Sequence, residues 1–105
     1  MSHRLLYITA SGLDEARKIA KTLVESRLAA CANVVGAIES YYWWDGALQE
    51  GGEVALIAKT RLDLVEAAIA KVKQIHSYSC PCVIALPIDA GNPGFLAWID
   101  AETRK

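Results

Sequence analysis

Apolar and polar positions along the chain fall into strand-like runs and helix-like stripes. Arg4 to Thr9 (RLLYIT) is a short apolar run that predicts a strand in the middle of a sheet. From Ser11 the period lengthens. Ala16, Ile19, Ala20, Leu23 and Val24 recur at helical spacing, whereas Glu15, Arg17, Lys18, Lys21 and Glu25 take the wet face and read as solvated charge without chemistry. Ser11, with Asp14 three residues on, is the predicted N-cap. A second stripe of Leu62, Val65, Ile69 and Val72 predicts a helix from about Arg61 to Ile75. His76 closes it, where the helix macrodipole favours a protonated imidazole. After the turn SYSCP, Cys82 to Ile88 reads as a strand, and Pro87, lacking an amide donor, places it at an edge or bulge. Asn92-Pro93 then supplies the N-cap and first residue of a final helix carrying Leu96, Trp98 and Ile99.

Between the first two helices, Leu28 to Lys59 reads as a long β-hairpin. Val34, Val35, Ile38 and Tyr41-Tyr42-Trp43-Trp44 form one run of strand formers, and Val54, Leu56 and Ile57 another. Asp45-Gly46 marks the tip, since a tight hairpin turn needs positive φ. Gly51-Gly52 predicts a bulge before the return strand. As one strand, Ala32 to Trp44 spans roughly 43 Å at ~3.3 Å per residue, against a diameter near ~34 Å for a compact domain of this length, so the aromatic tip overhangs its own domain. Alternation puts Ala32, Val34, Gly36, Ile38, Tyr42 and Trp44 on one side and Val35, Ala37, Tyr41 and Trp43 on the other. Neither side is predominantly polar.

The element order is therefore β-α-β-β-α-β with a C-terminal helix. In a single domain over residues 1–105, this predicts an α+β, ferredoxin-like fold: four antiparallel strands with two helices on one face. The other face is left bare, and the apolar hairpin also asks for cover. A homo-oligomer satisfies both, with Tyr41, Tyr42, Trp43 and Trp44 as the expected intersubunit contact.

Composition narrows the class. With 53% hydrophobic and 22% charged residues, the chain is globular, not disordered. Eleven Lys and Arg against twelve Asp and Glu give a formal charge of −1, with the basic residues scattered, which argues against nucleic-acid or lipid-surface partners. No apolar run approaches the ~20 residues of a membrane span, and Leu5 to Ile8 is too short for a signal peptide. Three cysteines, an odd number, favour reduced thiols and hence a cytoplasmic setting.

The run LVESRLAACANVVGAIESYYWWDGALQEGGEVALIAKT, continued by HSYSCPCVIALPI and FLAWI, resembles the CutA family of divalent-cation tolerance proteins over Thr9 to Ile99. Its marks are the Leu-Ala-Ala-Cys block, the Tyr-x-Trp-x-Gly hairpin tip, the Lys-Thr strand end and the His-x-Tyr-x-x-Pro turn. The resemblance implies a tight homotrimer in which long hairpins wrap their neighbours. It also implies a role in tolerance to copper and other divalent cations, and an architectural kinship with trimeric PII signalling proteins. One stretch departs from the pattern. The family turn reads His-Pro-Tyr-Glu-x-Pro-Glu, and here Ser79 and Cys82 stand where it has glutamates; the cysteine some members use for copper on the first strand has no counterpart before Cys31.

His76, Cys80 and Cys82 are the cluster with metal-ligand chemistry, imidazole and thiolates suiting zinc or copper(I). The plain alternative is that both thiols are small buried apolar groups. Cys31, among small apolar neighbours, reads as core. Glu39, Glu53 and Lys59 are charges inside apolar strands, and Lys59 with Tyr78 is the candidate ligand contact in a cleft between subunits. No Ser-His-Asp order, phosphate loop or paired-carboxylate motif is visible, so no enzymatic activity is expected. Three functions stay open: a metal-response trimer needing no cofactor but able to take copper or another divalent cation; a PII-like module binding a small anionic ligand between subunits; and a structural scaffold.

Overall fold

The computed structural model describes residues 2–104, so the two ends of the expected 1–105 domain lie outside the described residues. The elements are β1 (His3–Ala10), α1 (Leu13–Glu25), β2 (Cys31–Trp44), β3 (Ala47–Arg61), a 3-10 turn (Leu62–Leu64), α2 (Val65–Ile75), β4 (Val83–Ile88) and α3 (Pro93–Glu102). The strands form one four-stranded antiparallel sheet in the order β2-β3-β1-β4. β4 is an edge, so Pro87, opposite Arg4, leaves no interior ladder position without its amide.

One sheet face is closed by α1 and α2. Leu6 and Ile8 of β1 and Leu56 and Ala58 of β3 pack with Ile19 and Leu23 of α1 and Ala68 and Val72 of α2, all fully buried. The second helix differs in phase from its predicted stripe. The 3-10 turn winds more tightly than an α-helix, and Leu62 is left exposed while Val65, Ala68, Val72 and Ile75 face the core. Nor does Ser11 cap α1. Gly12 holds the N-cap position in extended geometry, and Glu15 reaches back instead to accept from the Ser11 amide.

The hairpin turns at Asp45-Gly46 as expected, with φ of 56° and 78°. Its bulge, however, is not at Gly51-Gly52, which pair regularly with Ser40 and Glu39. The register shifts instead between Val34 and Gly36, where Gly36 has φ 136°. One extra residue inverts the alternation beyond it. Ala32 and Val34 therefore pack on the core, whereas Ile38, Tyr42 and Trp44 line a cleft together with Glu53, whose partner across the ladder is Ile38.

The second sheet face is not bare along its whole length. His3, Lys59 and Arg61 belong to it, and α3 reaches all three. His3 Nε2 lies 2.9 Å from Asp100 Oδ1, Lys59 Nζ lies 5.9 Å from the Phe95 ring centroid, and Arg61 donates to the Thr103 carbonyl. α3 thus covers one end of that face. Toward the hairpin the face is open, and the molecule measures 44 × 25 × 22 Å. At the tip Tyr41 and Trp43 are 66% and 74% exposed.

Candidate functional site

The polar features of the chain converge where α2 ends. His76 leaves the helix with ψ 145°, and its ring folds inward with no exposed side-chain surface. Nε2 is 2.8 Å from the Thr9 carbonyl oxygen, which can only accept. Nδ1 is 3.0 Å from the Tyr78 amide nitrogen, which can only donate. These partners fix the tautomer with hydrogen on Nε2 and leave neither nitrogen for a metal. His76 is therefore a bracket between β1 and the following turn, with both ring nitrogens engaged by backbone groups.

Beside it, Glu15 is no solvated surface charge. Its carboxylate accepts from the Ser11 amide and hydroxyl, both at 2.9 Å, and from the Ser77 amide and hydroxyl at 2.8 and 3.0 Å. Burial opposes the charge, but the Ser11 and Ser77 donors outweigh it and hold the carboxyl pKa down at about 2. The signal for this corner was present in the sequence as a serine four residues before Glu15. Its second half, Ser77, is 62 positions away and was not legible there.

Tyr78 lies against the His76 ring, centroids 4.6 Å apart, and its hydroxyl donates to Glu53 Oε2 at 2.9 Å. Burial, then the hydrogen bond and the charge of Glu53, push its pKa up to about 12. Tyr78 is thus held as a phenol, and Glu53 gains the partner that a carboxylate inside an apolar strand requires. Together they form the polar floor of a cleft of about 960 Å³ on the open sheet face. Aromatic side chains of the hairpin, Tyr42 and Trp44 among them, make one wall, and Ser79, Cys80 and Cys82 another.

The structure divides the predicted site residues. His76, Cys80 and Cys82 are not assembled as a ligand set: among the described residues, no group of three His, Cys, Asp or Glu side chains is placed to hold a metal. Cys80 is exposed and Cys82 half-buried, so neither is the small core residue of the plain alternative. Cys31 is also only half-buried and pairs with Lys59 across the ladder. Lys59 and Tyr78 are apart within one chain. Glu53, which Tyr78 binds, is six positions from Lys59 along β3, roughly 20 Å of strand. Lys59 instead donates to Asn33 Oδ1 at 2.7 Å. His3 and Asp100, joined at the far end of the sheet, carried no sequence signal of their pairing.

Comparison with known proteins places this arrangement. A family model described as CutA1 divalent ion tolerance protein matches residues 4–102. The chain belongs to the CutA1 family. It is 46% identical to a divalent-cation tolerance protein CutA of Archaeoglobus fulgidus over 93% of this chain and 95% of that protein. It is 42% identical to a chloroplastic CutA 1 protein of Oryza sativa over 96% of this chain but 57% of that longer protein. A crystal structure of CutA1 from Oryza sativa superposes with a TM-score of 0.96 at 40% identity, covering 100% of this chain and 96% of that one. The structure of a periplasmic divalent cation tolerance protein CutA from Archaeoglobus fulgidus superposes at 0.93 with 44% identity, covering 96% and 98%. The α+β fold with its four-stranded antiparallel sheet and three helices is therefore that of solved CutA proteins, and a general role in metal tolerance attaches to the family. Among the described residues no helix is long and apolar enough to cross a membrane.

Proposed function

We propose that this CutA1-family chain acts as a homotrimer of ferredoxin-like protomers in the cellular response to divalent metal ions, copper included, without catalysing a reaction. The observation that carries this reading is the exposed aromatic hairpin on a chain of this family: Tyr41, Tyr42, Trp43 and Trp44 lie beyond the protomer's own cover and supply the kind of surface that subunit assembly buries. A resident divalent metal does not fit the single chain. His76 spends both nitrogens on backbone groups, and the Glu15 and Glu53 carboxylates are committed to serine and tyrosine donors. A cytoplasmic location suits three free thiols, although the Archaeoglobus relative is described as periplasmic. The test is growth of cells lacking their own CutA gene, with and without this chain, under graded copper, zinc and cadmium, alongside light scattering for mass. A trimer that widens the tolerated range supports the reading, and a monomer or an unchanged range overturns it.

A second reading, a PII-like regulatory module, draws on the cleft. Its aromatic wall and Tyr78 floor suit a small planar ligand, and Lys59 joins the contact set if a neighbouring subunit presents it there. A thermal-shift screen of anionic metabolites that moves the wild type but not Lys59→Met would favour this module over the metal response.

A further inference from the structure

We propose that Cys80 and Cys82 form a two-thiolate site for a soft monovalent cation, copper(I), on the wall of the cleft. The proposal deepens the metal-response reading above and is separable from it by experiment.

Both cysteines are free, and both line the same cleft one residue apart. Within the protomer Cys80 is exposed and Cys82 half-buried, so neither thiol is sealed in the core. Pro81 between them fixes its own φ and holds Cys80 out of the helical region, and this short segment ahead of β4 sets both cysteines on the cleft lining. The segment is tied on both sides. Tyr78 is anchored to Glu53, and the Cys82 carbonyl accepts from the Thr9 amide at 3.3 Å.

The number of donors decides the ion. Zinc in a protein site takes four ligands, and calcium and magnesium take several oxygens. No third His, Cys, Asp or Glu joins these thiols among the described residues. The nearest candidates by sequence and fold already have partners: both His76 nitrogens on Thr9 and Tyr78, and one Glu53 oxygen on Tyr78. Two sulfur donors and nothing else suit a d10 monovalent ion in linear coordination, and soft thiolates select copper(I). Binding proceeds as two thiols plus one copper(I) giving one S–Cu–S unit of charge −1 and two released protons, with no change of oxidation state. Cys31, beside Lys59 in the ladder, lies outside the cleft and takes no part.

The test titrates copper(I), kept reduced under nitrogen, into the full reduced chain against a coloured copper(I) chelator. The expected result is one copper(I) per chain, withheld from the chelator and not displaced by excess zinc. Cys80→Ser and Cys82→Ser each lose that binding, and Cys31→Ser keeps it. Binding that survives either cleft substitution, or that zinc displaces, overturns the proposal. If a variant does not fold, X-ray absorption at the copper edge of the wild type decides: two sulfur neighbours support the site and a nitrogen neighbour refutes it. Metal tolerance is read in parallel in cells. Tolerance without copper(I) binding refutes this site and spares the metal-response reading; copper(I) binding without tolerance does the reverse.

Discussion

Glu15 is the residue whose role departs furthest from its place in the pattern. On a helical wheel it sits with Arg17 and Lys18 on the wet side, yet it gathers four donors from two segments. Because its folded pKa of about 2 lies below the ordinary 4.5, the stability it contributes is fully present above pH 4.5 and is lost as pH falls from about 4.5 to about 2. Glu15→Gln, which keeps the shape but not the charge, is expected to lower thermal stability at neutral pH. It should also flatten the acid limb of the stability profile in that window, as followed by circular dichroism melts. An unchanged acid limb would show that the carboxylate is not what fastens α1 to the turn after α2. Tyr78 titrates with the opposite sense. Its pKa is raised from 10 to about 12, so its contribution holds below pH 10 and fades as pH rises from 10 to 12. Residue types flagged Glu53 and Tyr78 but not their pairing, and left Glu15 a solvated charge, because Ser77 and Glu53 are brought in by packing between segments far apart in the chain.

At the scale of elements, the β2-β3 hairpin was legible in outline and not in register. Strand formers, length and the Asp45-Gly46 turn all lie in local sequence, and each of them reappears in the fold. The bulge does not, because Gly51-Gly52 and Gly36 look equally permissive from sequence and only the pairing of β2 with β3 chooses between them. Gly36 has φ 136° with nothing within 4 Å of the position a Cβ would take. Substitution there meets backbone strain without a steric clash. Gly36→Val is expected to destabilise the fold by about 1–3 kcal/mol, whereas Gly52→Val, in regular extended pairing, should cost much less. Urea titration of the two variants compares them directly, and equal midpoints would place the strain elsewhere. α3 makes the same point from the other side: Asn92 caps it as predicted, accepting from the Gly94 amide at 3.0 Å. Its seat over His3, Lys59 and Arg61 is a matter of packing alone.

For the whole molecule, the open sheet face and the overhanging tip set the terms. The protomer leaves Trp43 and Trp44 at 74% and 53% exposure, with Leu48 of the return strand exposed beside them. Isolated in water, such a surface favours association. Trp43→Ala and Trp44→Ala are each expected to weaken the proposed trimer by about 3 kcal/mol, the scale of truncating a buried aromatic, while leaving the protomer's melting of secondary structure nearly intact. Sedimentation at decreasing concentration measures this, and an oligomer equally stable in both variants would exclude the tip from the interface. The same assembly would determine whether Lys59 of one subunit ever approaches Tyr78 of another.

By itself the sequence determined the elements, their order, the hairpin turn, the restriction of β4 to an edge or a bulge, and the family. Each of these depends on local periodicity, on backbone chemistry at single positions, or on a pattern of residues continuous along the chain. Tertiary structure alone decided the bulge at Val34/Gly36, the placement of α3, the tautomer of His76 and the pairing of Glu15 with Ser77 and of Glu53 with Tyr78. These depend on which distant groups meet once the core has closed, and a buried polar group takes whichever partner the closed core presents.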